Sequence, residues 1–217
     1  MVRPHPGPQG MKPERNETLA ELIGMILGDG NLGIYRKKNS KEPRCHYLRI
    51  YCHLEEKQYA KEIASVMDEV FCKKSYWYER PSENVLYIEI SAKDLDILLG
   101  LPIGDKIKNK VTIPDWIYDK ESYLVACLRG LFDTDGCCYI TGGKYKIVNF
   151  ANRNEDLLEN IFVSLKALNF HPFRIKERNV EIGRKNEVTR FFEIVKPKNV
   201  KHYRHFAEVA KVVKARV

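Results

Sequence analysis

The chain has 217 residues, with 37 Lys and Arg against 29 Asp and Glu, a net charge of +8. At 44% hydrophobic and 30% charged it can bury a core, and its apolar runs are too short and too interrupted to cross a bilayer. A membrane partner is therefore not expected; an intracellular protein with a polyanionic partner is.

Residues 1–15, rich in Pro, Gly and basic groups, read as a flexible tail. Thr18 followed by Glu21 has capping-box spacing. It opens a helix through Leu22-Ile23-Gly24-Met25-Ile26-Leu27-Gly28-Asp29-Gly30. A strand-like stretch ending in Arg49-Ile50-Tyr51-Cys52-His53 follows, then an amphipathic helix from Gln58 to Val70. Tyr87-Ile88-Glu89-Ile90 is the last strand before a closing helical segment. Leu101 to Asp119, with Pro102, Gly104 and Pro114, reads as a joint.

The same order then returns. Ser122 would cap a helix through Leu128-Arg129-Gly130-Leu131-Phe132-Asp133-Thr134-Asp135-Gly136. A strand through Ile147-Val148-Asn149-Phe150-Ala151-Asn152, a helix from Glu155 to Leu168 and the strand-like Phe191-Phe192-Glu193-Ile194 follow. The expected architecture is α+β: two pseudo-symmetric αββαββα halves with antiparallel sheets, residues 16–103 and 119–217, with a linker over 104–118. His202 and His205 read as one face of a basic surface helix. Six cysteines without CxxC spacing read as reduced thiols, Cys72 and Cys127 within apolar segments.

Ala20, Gly24 and Gly28 are four apart, as are Ala126, Gly130 and Thr134, so each motif helix carries a stripe of small residues. Glycine within a helix costs about 1 kcal/mol against alanine, and close approach of the two helix backbones is the compensation that fits. Gly30 and Gly136 are expected to end the helices in the left-handed conformation. The contact would bring Asp29 and Asp135 together at helix ends of partial negative charge, where a divalent cation would relieve the repulsion. Two carboxylates with the carbonyls of Gly28 and Thr134 form an oxygen-only set that suits Mg²⁺, with Mn²⁺ or Ca²⁺ able to substitute in binding. The plainer alternative is two ordinary Asp-Gly turns after buried helices.

At these residues the sequence resembles the LAGLIDADG homing endonucleases, in the single-chain, two-motif form, from Thr18 onward. The resemblance implies that the sheets form a saddle over double-stranded DNA and that a protein monomer hydrolyses both strands across the minor groove. It makes Asp29 and Asp135 the catalytic acids. The first motif copy has Leu27 where the second has Asp133, the family's earlier aspartate. His53 and Asn152 fall where family members place a polar residue that organises water. Lys106 and Lys108 in the first half, and Lys211 in the second, are the candidates for the basic residue near the reacting phosphate.

Contacts to DNA are expected from the strands. The first half offers Arg36, Lys37, Lys38, Lys41, Arg44 and Arg49; the second offers Lys144, Lys146, Arg174, Lys176, Arg178, Arg184, Lys185 and Arg190. Alternate strand residues share a face, so Lys144 with Lys146, or Arg174 with Lys176 and Arg178, would line one surface. The rival reading is a non-cleaving relative, either a maturase for an intron RNA or a DNA-binding regulator.

Overall fold

A computed structural model describes residues 13–36 and 43–204. The first half runs α1 (Glu17–Leu27), β1 (Gly30–Arg36), β2 (Pro43–His53), α2 (Lys57–Phe71), β3 (Tyr76–Arg80), β4 (Val85–Ala92) and α3 (Leu95–Leu99). The second runs α4 (Glu121–Asp135), β5 (Gly136–Thr141), β6 (Tyr145–Ala151), α5 (Glu155–Ala167), β7 (Phe173–Ile175), β8 (Asn179–Ile182) and α6 (Lys185–Val195). The αββαββα order thus occurs twice. Both sheets are antiparallel and four-stranded, with matching orders β1-β2-β4-β3 and β5-β6-β8-β7.

Each sheet turns one face inward. Leu48, Ile50, Leu86, Ile88 and Ile90 are fully buried in the first, and Val148, Phe150, Val180 and Ile182 in the second. The alternate residues point away from the helices. The core between them centres on α1 and α4, whose backbones touch. A Cβ on Gly24 would overlap the Cys127 carbonyl and stand 2.9 Å from the Leu131 nitrogen. One on Gly130 would overlap the Glu21 carbonyl and lie 2.7 Å from the Met25 nitrogen. Glu21, 4% exposed, ties the halves further by pairing with Arg129 at 3.0 Å and Lys198 at 2.7 Å.

Several local expectations are corrected. The first helix is capped by Asn16, whose side chain accepts from the Leu19 nitrogen at 2.8 Å, so Glu21 is free to serve the interface instead of a capping box. Ser122 lies inside α4, which starts after Lys120 without a side-chain cap. Gly136 has φ −87°, and Gly30 is likewise outside the left-handed region. Both are glycine because the chain doubles back on the helix it leaves. A Cβ on Gly30 would meet the Ile26 carbonyl at 2.7 Å, and one on Gly136 the Phe132 carbonyl at 2.5 Å.

Phe191 to Ile194 belongs to α6 and is not the echo of Tyr87 to Ile90. Val188, Phe191, Phe192 and Val195 are buried together, a spacing of three and four that only a helix satisfies. The true counterpart of β4 is β8, so Glu181 matches Glu89. Cys127 is buried as expected, whereas Cys72 is exposed at the end of α2. His202 is not on a surface: it is 2% exposed and packs on Phe132 with ring centroids 4.3 Å apart. His205 lies outside the described residues.

Helix propensity alone predicts that Gly24→Ala and Gly130→Ala stabilise the protein by about 1 kcal/mol. The interhelix contact reverses the sign, and each is expected to destabilise by about 2 kcal/mol or more, as measured by denaturant unfolding.

Candidate active site

The α1–α4 contact sets what lies at the helix ends. A Cβ on Gly28 would overlap the Thr134 hydroxyl and stand 3.4 Å from the Asp135 carboxyl carbon, so the end of α1 presses against that of α4. The Thr134 hydroxyl turns back to the carbonyls of Gly130 and Leu131, at 2.9 and 3.0 Å. Asp29 and Asp135 emerge side by side from this junction. Burial pushes the Asp135 carboxyl up to about 6, with the charge of Asp29 adding to it and Asn152, Lys106 and Lys201 opposing. Asp29 is also raised, by burial of its surroundings and by Glu56, against Lys201 and Lys106.

Lys106 reaches in from the joint. Its ammonium donates to the carbonyls of Ile26 at 2.9 Å and Leu27 at 3.0 Å, and to that of Gly28. It therefore caps the negative end of α1 while lying in the field of both aspartates. The Gly28 carbonyl, an expected metal ligand, faces this ammonium. Lys108 is exposed, and its backbone nitrogen donates to Asp105 at 3.2 Å. Lys211 lies outside the described residues.

The corresponding cation from the second half is Lys201, which the sequence reading missed. It pairs with Glu56 at 3.2 Å and acts on both Asp29 and Asp135. Its position is fixed by Asp133, fully buried, which accepts from the backbone nitrogens of Lys198 at 2.9 Å and Asn199 at 3.0 Å. The departure of Leu27 from Asp133 between the motif copies was the available signal that this aspartate does something other than pair with Asp29.

Asn152 donates to Asp135 at 2.5 Å. The strand register gives its partner in the first half: Gly30 faces Ile50 and Gly136 faces Phe150, so Cys52, two residues on, stands where Asn152 does. Cys52 is buried near Asp29, and burial together with Glu56 and Asp29 pushes its thiol up to about 12. His53 points elsewhere, with Nε2 2.6 Å from the Asn84 amide and Nδ1 accepting from the Glu55 nitrogen at 3.3 Å. A cleft of about 270 Å³ opens over the junction, lined by Gly28, Lys106, Asp135, Asn152 and Arg153 among others. Arg153 is a further basic residue the sequence reading did not select.

Among the described residues, no group of three or more His, Cys, Asp or Glu side chains is placed to hold a metal. Asp135 lines the cleft and Asp29 is exposed at the adjoining helix end, a pair of carboxylates that fits a hard cation of the Mg²⁺ kind, which keeps waters and takes its remaining ligands from a phosphate.

The expected DNA-contacting residues divide. Arg36, Lys144, Lys176, Arg178, Arg184 and Lys185 are exposed, and Lys146 is half-buried. Arg49 is held in place by Glu89 at 2.6 Å and Tyr35 at 2.6 Å, with its guanidinium 4.2 Å from the Tyr47 ring centroid. Arg174 shares the inward-facing register of Val180 and pairs with Glu159 of α5 at 2.6 Å, while Lys176 and Arg178 lie in a 3-10 turn after β7, so the three do not line one strand face. Arg190 donates to the carbonyls of Leu168 and Asn169 beyond the end of α5, at 2.5 and 3.0 Å. Lys37, Lys38 and Lys41 lie outside the described residues, and of Arg44 only its place in β2 is described. Among the described residues, no helix is long and apolar enough to cross a membrane.

Residues 122–204 match the family model described as "LAGLIDADG-like domain". Among solved structures, the chain resembles the homing endonuclease I-DmoI in complex with DNA and Mn, with a TM-score of 0.61, 17% identity, and coverage of 82% of this chain and 96% of that one. It also resembles the LAGLIDADG meganuclease I-AabMI bound to uncleaved DNA, with a TM-score of 0.59, 14% identity, and coverage of 91% of this chain and 92% of that one. A curated relative, the tRNA-splicing ligase RtcB of Methanopyrus kandleri, is 24% identical over 212 residues. That match covers 86% of this chain, which spans only 20% of the ligase's length. The second half thus matches the LAGLIDADG-like family model, and across both halves the chain has the fold of the single-chain LAGLIDADG homing endonucleases.

Proposed function

We propose that this protein is a site-specific endonuclease that, as a monomer, hydrolyses both strands of a double-stranded DNA target with a divalent metal ion. The observation that carries the reading is the pair Asp29 and Asp135 at the joined ends of α1 and α4, each within the influence of Lys106 and Lys201. Two acids with raised affinity for protons, Asp135 in the cleft and Asp29 at the adjoining helix end, are poised for a cation rather than for bare ionisation. The two solved neighbours are described as bound to DNA, one with Mn, which supports duplex DNA as the ligand and a divalent ion as the cofactor here.

In this reading Asp29 and Asp135 hold Mg²⁺, for which Mn²⁺ or Ca²⁺ can substitute in binding. The ion supplies charge that lowers the pKa of an attacking water and steadies the leaving 3′ oxygen. Asn152 fixes the orientation of Asp135. Lys106 and Lys201 place positive charge where charge develops on the phosphate. The exposed cations on both halves hold the backbone of the duplex.

A second reading, a non-cleaving relative that binds DNA or an intron RNA, draws on the Lys106 ammonium, which faces the Gly28 carbonyl and leaves fewer oxygens for a metal. Nicking of supercoiled plasmid carrying a site selected from a randomised library separates the two. The endonuclease requires Mg²⁺ or Mn²⁺, and Asp29→Asn and Asp135→Asn each lower the rate on the order of a hundredfold or more while leaving duplex binding in place. Binding with no cutting by the unaltered protein supports the second reading.

Two further outcomes are expected. Five phosphate contacts would give log Kd against log salt a slope of magnitude about 4.5, measured by titration of labelled duplex. The folded-state pKa of Asp135 is raised, so without metal the native state holds its proton more tightly than the unfolded chain, and stability falls as pH rises through about 6. Asp135→Asn therefore raises the thermal midpoint above that pH and loses its advantage well below it.

A further inference from the structure

The outward faces of the two sheets share a register but not a chemistry. Glu89 faces Arg49 and Tyr76, and Glu181 faces Asn149 and Phe173, which aligns the sheets residue by residue. The first sheet then presents Tyr47, Tyr51, Tyr76 and Tyr78 where the second presents Ile147, Ala151, Phe173 and Ile175. At these four positions tyrosine gives way to hydrocarbon, whereas Tyr35 and Tyr87 correspond to Thr141 and Asn179, and Tyr139 stands where the first sheet has Gly33. Phe173 is 41% exposed, Ile175 40% and the neighbouring Tyr145 58%, an apolar strip open to solvent.

At the outer end of this strip lies an open hollow of about 600 Å³, lined by Thr141, Tyr145, Ile147, Phe173, His171 and Arg184. One cation, Arg184, lines it. The buried Glu187 fixes both His171, at 2.6 Å, and Arg184, at 3.4 Å, while Lys144 and Lys185 are exposed nearby in sequence. The hollow and the candidate active site are separate but stand at the two ends of one strand: β6 runs from Tyr145 to Ala151, and the next residue, Asn152, bonds to Asp135. The seven residues of β6 span roughly 20 Å from first to last, which is about six nucleotide steps of a duplex at 3.4 Å each.

We propose that the apolar strip and its hollow receive thymine C5-methyl groups, so that the half-site read by the second sheet is rich in thymine about six base pairs from the cut. The inference rests on the reading of this protein as a DNA-binding endonuclease. In the major groove the thymine methyl is the one apolar feature of a base edge. Opposite a hydrocarbon surface, the donors and acceptors of the other bases lose water and gain no partner, which selects against them. Arg184 at the hollow, with the exposed Lys144 and Lys185 next in sequence to its lining, suits the flanking phosphates. The first sheet, with its tyrosine hydroxyls, has no such preference for methyl groups.

The full-length chain, with Ca²⁺ present to support binding, is used to select duplexes from a randomised library. Each thymine of a retained duplex is then replaced by deoxyuridine, which lacks only the methyl. Thymine is expected to be enriched on the side of the second half, and each replacement there to weaken binding on the order of fourfold, with replacements on the other side near neutral. Retained duplexes without that enrichment, or uniformly neutral deoxyuridine replacements, overturn the proposal and leave the endonuclease reading standing. Failure to retain any duplex overturns that reading and this proposal with it.

Discussion

The backbones of α1 and α4 meet where neither helix has a side chain to hold them apart. At Gly24 and Gly130 even one methyl group would strike the opposing main chain, and at Gly28 it would strike Thr134. Such contact fixes the helices along their length as well as across it, because sliding by one residue would bring a leucine or methionine into the seam. The location of Asp29 relative to Asp135 follows from that register. So does the placement of each sheet, since β1 and β5 begin directly after the helix ends.

The basic groups of the site are supplied by the joint and by a 3-10 turn, Val200–His202, and both segments are anchored by polar contacts. Lys106 is secured by the last carbonyls of α1. Lys201 is secured indirectly, because Asp133 grips the backbone at Lys198 and Asn199 and the Asn199 amide donates to Glu56 at 2.8 Å. A buried carboxylate accepting backbone N–H groups is a stiff tether, since releasing either bond leaves a buried polar group unmatched. Burial pushes Asp133 up to about 7 even with those bonds in place, which marks how far it sits from water.

The duplicated order of elements and the pairing of the acids were legible in the sequence, because periodicity and a repeated glycine stripe are local signals with one dominant physical cause. The strand-like reading of Phe191 to Ile194 failed because four apolar-rich residues are too few to separate a period of two from one of three and a half. Pairing His53 with Asn152 failed because register between strands depends on hydrogen bonding across the sheet, where Cys52 is the match. Arg174, Arg190 and Arg49 look alike as basic residues. One pairs with a helix, one binds the carbonyls beyond a helix end, and one is clamped among tyrosines. Side-chain direction and partner are set by tertiary contacts that no window of sequence contains. The role of Lys201 was hidden for the same reason, lying across a gap that only the folded chain closes.

The arrangement of the two cations has an implication for how the halves relate. Lys106, which follows the first half, lies in the cleft with Asp135 and Asn152, whereas Lys201, which follows the second, pairs with Glu56 beside Asp29. Lys106 bonds within its own half, to the last carbonyls of α1, and reaches Asp135 only through its charge, whereas Lys201 crosses over to Glu56 of the first half. A lone half would fold, if at all, around an incomplete centre. Neither half by itself holds both acids and both cations, so the joint and the segment after α6 matter to the centre as much as the motif helices do.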